Sequence, residues 1–122
     1  MQVYGSTKRS WRKQSMNSKE KANFIAQCMD DKKALDVEVI SLEGKTIIAD
    51  YFVICSGTSS THVRGIADEI EFQLSEKEIA YHHEEGYDTA KWILMDYGDV
   101  IVHVFYEEDR QYYNLERLWK LC

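Results

Sequence analysis

The pattern of apolar and polar positions is organised around Trp92 to Phe105, where two apolar runs flank Tyr97-Gly98 in a segment that reads W-I-L-M-D-Y-G-D-V-I-V-H-V-F. Two apolar runs around a Gly-containing dipeptide, set between Asp96 and Asp99, predict a β-hairpin closed by a tight turn. With a two-residue loop at Tyr97-Gly98, Asp96 opposes Asp99, Met95 opposes Val100, Leu94 opposes Ile101, Ile93 opposes Val102 and Trp92 opposes His103. Opposed residues share a face. One face then holds Ile93, Met95, Val100, Val102 and Val104, a core-like set. The other holds Trp92, Leu94, Asp96, Asp99, Ile101, His103 and Phe105, the mixture of aromatic, aliphatic and charged groups found at the middle of protein interfaces.

The remaining pattern supplies elements on which such a hairpin can rest. Asn17-Ser18-Lys19-Glu20 is a capping-box variant that predicts a helix running to about Asp31, with Ala22, Ile25, Ala26 and Met29 on its apolar side and Phe24 and Cys28 beside them. Alternation over residues 36–40 predicts a half-buried strand, with a turn at Glu43-Gly44-Lys45. Ile47 and Ile48 lead into Tyr51-Phe52-Val53-Ile54-Cys55, a continuous apolar run of the kind covered on both faces. After Ser56-Gly57-Thr58-Ser59-Ser60, the residues Val63, Ile66, Ala67, Ile70 and Leu74 fall on one face of a second helix. A short strand is expected from Ile79 to His83, then a Glu85-Gly86 turn, the hairpin, and a final helix carrying Tyr112, Leu115, Leu118 and Trp119.

Composition narrows the class. A chain of 122 residues, 44% hydrophobic and 30% charged, suits one globular domain, and no run is long enough to span a bilayer. Residues 1–16 hold Lys8, Arg9, Arg12 and Lys13 without an acid and lack the apolar stretch of a signal peptide, so they read as a flexible basic tail before a single domain at 17–122. Beyond that tail, 21 acids face about eleven bases, roughly ten net negative charges. Phosphate backbones are bound through several Lys or Arg contacts, so direct nucleic-acid binding is disfavoured and a basic protein partner favoured. Cys28, Cys55 and Cys122 form no C-x-x-C pair, which fits reduced thiols and a cytoplasmic protein.

Several residues could in principle carry chemistry. The Ser56-Gly57-Thr58-Ser59 loop before a helix could hold an anion on free N–H groups, although no Gly-Lys-Ser/Thr follows as a Walker loop requires. Its structural reading is that Ser59 or Ser60 caps the helix while Gly57 permits the turn. A strand, Ser-Gly and helix also fits nucleotidyltransferases, but the carboxylate pair expected on the next strand is replaced by Tyr81-His82-His83-Glu84-Glu85. The four histidines lack metal-ligand spacing. Ser59, His62 and Asp68 lack a nucleophile elbow, and a neutral His62 bonded to its loop or to a partner suits its place in a first helical turn. Asp96 and Asp99 are better read as binders of basic side chains than as an acid/base pair.

The ordered motifs Asp31-Lys32-Lys33-Ala34 with Asp36, Ala49 to Ser59, His62-Val63, Ile66-Ala67-Asp68, Glu85-Gly86, Trp92 to Phe105 and Tyr113 to Trp119 closely resemble the ribosomal silencing factor family, also called Iojap-like. The resemblance covers about residue 17 onward. It implies an α/β fold: a single two-layer domain with a mixed β-sheet and flanking helices, nucleotidyltransferase-like in topology without the catalytic carboxylates. It further implies a protein without cofactor or catalysis that binds the large ribosomal subunit through its fourteenth protein and blocks joining of the small subunit. The implied contact residues are Trp92, Leu94, Asp96, Tyr97, Asp99 and His103, with Ser56, Ser59 and His62 as neighbours. The basic tail departs from the compact bacterial pattern. Two other readings stay open: a nucleotide-binding protein or enzyme using the Ser-Gly-Thr-Ser loop, and self-association through the hairpin's outer face.

Overall fold

A computed structural model describes residues 16–113, the last three by backbone alone. Asn17 opens helix α1 (Ser18–Asp31) with reciprocal bonds: its side chain accepts from Glu20 N at 2.8 Å, and its own N–H donates to Glu20 Oε1 at 3.1 Å. Two donors at the helix start are thereby satisfied. Asn17→Ala should lower the unfolding free energy by about 1 kcal/mol in a denaturant titration.

Strands β1 (Leu35–Ser41) and β2 (Tyr51–Gly57), helix α2 (Ser60–Ser75), strands β3 (His83–Glu85), β4 (Trp92–Asp96) and β5 (Val100–Tyr106), and helix α3 (Glu107–Tyr113) follow. They build a five-stranded sheet in the order β1-β2-β5-β4-β3. Only β2 and β5 pair in parallel, so the sheet is mixed, as the α/β reading expects. Helices α1 and α2 cover one face, where Ile25, Met29, Ile66, Ile70 and Leu74 meet Val53, Ile93, Met95, Val102 and Val104, all fully buried. The opposite, outer face gathers Ile40, Leu42, Ala49, Phe52, Ile54 and Phe105, with Trp92 and Ile101 partly buried beside them. No helix of the described residues is long and apolar enough to cross a membrane.

The hairpin forms with a different register. Trp92 pairs with Phe105, Leu94 with His103 and Asp96 with Ile101, because the turn lies at Gly98-Asp99, one residue later than expected. Tyr97 N donates to Val100 O at 3.0 Å to close it, and Gly98 takes φ +90. Moving a turn by one residue moves every cross-strand pair by two. Side chains alternate with period two, so each strand residue keeps the face assigned to it. The turn residues do not: Tyr97 is buried on the helical side, and Asp99 reaches Lys21 of α1 with a 2.7 Å ion pair.

Two further elements differ from expectation. The strand expected at Ile79 to His83 is His83–Glu85, because Ile79 belongs to the end of α2. Glu78 adopts φ +65 and Ile79 N donates to Leu74 O at 2.9 Å, a Schellman-type termination with Ile79 packed against the core. In β1 the register shifts between Leu35 and Glu38, where Asp36 adopts φ +50. Val39 therefore pairs with Val53 at the margin of the helical layer and stays 39% exposed, while Ile40 is buried on the outer side. Of the expected final helix, α3 is described; Leu115, Leu118 and Trp119 lie outside the described residues, as do the tail residues 1–15 and Cys122.

Candidate partner-binding face

The outer side of β4 and β5 presents Trp92, Leu94, Asp96 and Ile101, each half-buried. They form one surface because alternate residues of an antiparallel pair project the same way. His103 lies beneath them, 3% exposed, with Phe52 edge-on at 4.6 Å and Trp92 and Phe105 at 5.9 and 6.3 Å between ring centroids. Trp92 itself stacks on Phe105 at 5.2 Å.

Trp92 Nε1–H donates to His103 Nδ1 at 3.0 Å, which fixes the imidazole as the neutral tautomer with its hydrogen on Nε2. That Nε2 is buried and has no hydrogen-bond partner among the described residues. Burial among apolar rings disfavours the charged ring and pushes the His103 pKa down from 6.5 to about 4. His103 thus acts on the surface by orienting the Trp92 indole from below. Asp96 ends the row: its Oδ1 accepts from Gly98 N at 2.7 Å, an Asx-type bond that shapes the turn.

The other residues expected at this site are held elsewhere. Tyr97 sits in the helical-side core, its hydroxyl without a hydrogen-bond partner among the described residues, and burial first, then Glu71 and Glu84, push its pKa up. Asp99 is bound to Lys21, so it and Asp96 serve different partners rather than forming a carboxylate pair. Ser56, 1% exposed, receives Arg110 Nη1 at 3.0 Å. Ser59 Oγ caps α2 by accepting from His62 N at 3.0 Å. His62 Nδ1 accepts from Thr58 N at 3.0 Å, leaving Nε2–H to donate to Lys32 O at 2.7 Å. The Ser-Gly-Thr-Ser loop therefore spends Thr58 N and His62 N on internal bonds, which weakens it as an anion cradle.

Comparison with known proteins decides the family. Residues 15–122 match the family model described as "Ribosomal silencing factor during starvation". The chain belongs to the ribosomal silencing factor family. The Ribosomal silencing factor RsfS of Bacillus subtilis is 47% identical over 104 residues, 85% of this chain and 88% of that protein. A crystal structure of a Chromobacterium violaceum protein superposes with a TM-score of 0.83 at 28% identity, over 86% of this chain and 88% of the other. One from Bacillus halodurans gives 0.75 at 42% identity, over 83% and 94%.

In this member of the family, two positioning devices carry no motif in the sequence. Arg110 of α3, 7% exposed, bonds Asp36 O at 2.8 Å as well as Ser56, tying α3 to β1 and β2. The segment before Trp92 is anchored to α2: Arg64 Nε donates to Tyr87 O at 2.9 Å, another Arg64 nitrogen donates to Asp88 O, and Tyr87 OH donates to Asp68 at 3.0 Å. The two described cysteines are ordinary core thiols, with burial pushing Cys28 up to about 11 and Cys55 to about 12, so both stay protonated at neutral pH.

Proposed function

We propose that this protein is a cytoplasmic, non-enzymatic repressor of translation that docks its outer sheet face on the large ribosomal subunit. Trp92, Leu94 and Asp96 make the direct contact, with Ile101 beside them; the partner is the subunit's fourteenth protein. Seated there, the domain occupies space that the small subunit needs and prevents joining. Blocking of this kind requires bulk and affinity, not chemistry, so its extent follows the dissociation constant and the concentration.

The observation that carries this reading is the Trp92 indole, half-exposed yet held by stacking and by its bond to His103. A large aromatic fixed in place before binding loses little entropy on docking, which is the character of an interface hot spot. The acidic body supports it by favouring a basic ribosomal protein while repelling exposed rRNA. Tyr97, Asp99 and His103 contribute from within, by setting the hairpin's shape, and Ser56, Ser59 and His62 hold the β2–α2 connection at the Trp92 end of the sheet. No direct nucleic-acid contact, cofactor or membrane is invoked.

Trp92→Ala should weaken binding to purified large subunits by about 2 kcal/mol, roughly thirtyfold, while circular dichroism stays that of the folded protein. A folded variant that binds like wild type would remove Trp92 from the site. Millimolar nucleotide with Mg²⁺ should leave the melting temperature unchanged, since a ligand of the native state must raise it.

A further inference from the structure

Ile47 and Ile48 belong to the loop between β1 and β2, and they are 103% and 60% exposed. Singly exposed aliphatic side chains are common on protein surfaces, but two adjacent isoleucines at a loop tip are a costlier arrangement. The other large exposed hydrophobics of the described residues, Leu35, Val39 and Phe72, are scattered.

The loop holds its tip firmly. Leu42 N donates to Asp50 O at 2.7 Å across its base, Lys45 N and Thr46 N donate to Leu42 O at 2.9 and 3.3 Å, and Ile48 N donates to Thr46 Oγ1 at 3.1 Å. Leu42 and Ala49 root both arms in the outer-face core cluster that Trp92 and Ile101 flank. Asp50 N and Tyr51 N both donate to Asp99 O, at 2.8 and 3.2 Å, which joins the loop to the hairpin turn. Ile47 and Ile48 thus stand at the turn end of the surface that Asp96 and Ile101 close. Their side chains are not what holds the loop: its closing bonds run through backbone atoms and the Thr46 hydroxyl.

We infer that Ile47 and Ile48 form a second, apolar anchor of the same docking surface, seated in an apolar depression of the large-subunit protein that receives Trp92. This rests on the functional reading above and extends its footprint across the hairpin turn onto the β1–β2 loop. Continuity with the Trp92 surface identifies the occupant, and charge agrees with it: Glu43 and Asp50 against Lys45 leave the rim of the apolar tip net acidic, which suits a basic protein. Because the loop is already closed by its own bonds, docking the two side chains orders little more than their rotamers.

The test uses the full chain and purified large subunits, comparing wild type, Trp92→Ala and the double variant Ile47→Ser/Ile48→Ser, with light scattering on each free protein. The expected result is that the double variant binds about tenfold more weakly or worse, with melting temperature and mass in solution as in wild type. Affinity within about twofold of wild type, in an experiment where Trp92→Ala does lose binding, overturns the second anchor and leaves the Trp92 reading standing. A double variant that converts a dimer to a monomer at unchanged subunit affinity also overturns it, by showing that a second copy covers the tip. Wild-type protein that fails to bind large subunits overturns both readings, and does so in an arm of its own.

Discussion

Between pH 7 and pH 4 the folded state should lose about 3 kcal/mol of stability through His103 alone, a dependence that His103→Phe should abolish. The sign follows from which state takes up protons first. In the unfolded chain the ring protonates near its ordinary 6.5, whereas in the fold burial holds it neutral down to about 4. Throughout that interval the unfolded state binds more protons, so stability is complete above pH 6.5, falls as acid is added, and levels off near pH 4. The difference between wild type and His103→Phe isolates this residue from carboxylates that titrate in the same range. Urea titrations at half-unit pH steps provide the measurement. Protonation also replaces the acceptor at Nδ1 with a donor facing Trp92 Nε1–H, so the indole loses its tether as the ring charges.

An equally large loss is expected from Gly86→Ala. Gly86 has φ +84, and a Cβ there would stand 2.0 Å from the Trp92 carbonyl oxygen. The obstacle is backbone rather than a side chain that could turn aside, so the β4 entry itself must move. A cost of roughly 3 kcal/mol or more is expected, from left-handed strain and from the overlap together. Gly98 supplies the contrast: φ is +90, but an added Cβ meets nothing nearer than the His82 ring at 3.6 Å. Gly98→Ala should therefore cost only about 1 kcal/mol, from conformation alone. If both variants unfold at the same denaturant midpoint, the close approach of Gly86 to Trp92 is not what fixes the start of β4.

These two sites show what a sequence can and cannot reveal about such a fold. The α1 start was legible because the Asn17–Glu20 spacing encodes a local bond pattern, and α2 because five apolar residues recur at helical spacing on one face. The two faces of the hairpin were legible for a sturdier reason. A period of two survives a register change of two, so the division of the strand residues between the two sheet faces holds although every pair moves, while His103 and Phe105 of the outer set prove to be buried. The turn residues had no such protection. Tyr97 and Asp99 were expected outside with Asp96, and the later turn turns one into the core and the other toward Lys21. Long-range partners such as Arg110 with Ser56 and Asp36, or Arg64 with the 87–88 backbone, leave no local trace. His103 is the intermediate case: its position on the outer strand face was readable, but its burial depends on Phe52 and Phe105 closing around it.

The structure thus divides the hairpin into a buried floor of Ile93, Met95, Val102 and Val104 and an outer row in which Trp92 is aligned by a histidine it nearly covers. Alignment of that indole is the link between packing and the proposed repression. The most direct measurement is a sucrose-gradient profile of purified large and small subunits mixed with wild-type protein or with Trp92→Ala. The account predicts that wild type comigrates with large subunits and depletes the joined-ribosome peak in proportion to its occupancy, and that Trp92→Ala restores the peak. A joined-ribosome peak that stays undiminished while wild-type protein saturates the large subunits would contradict it.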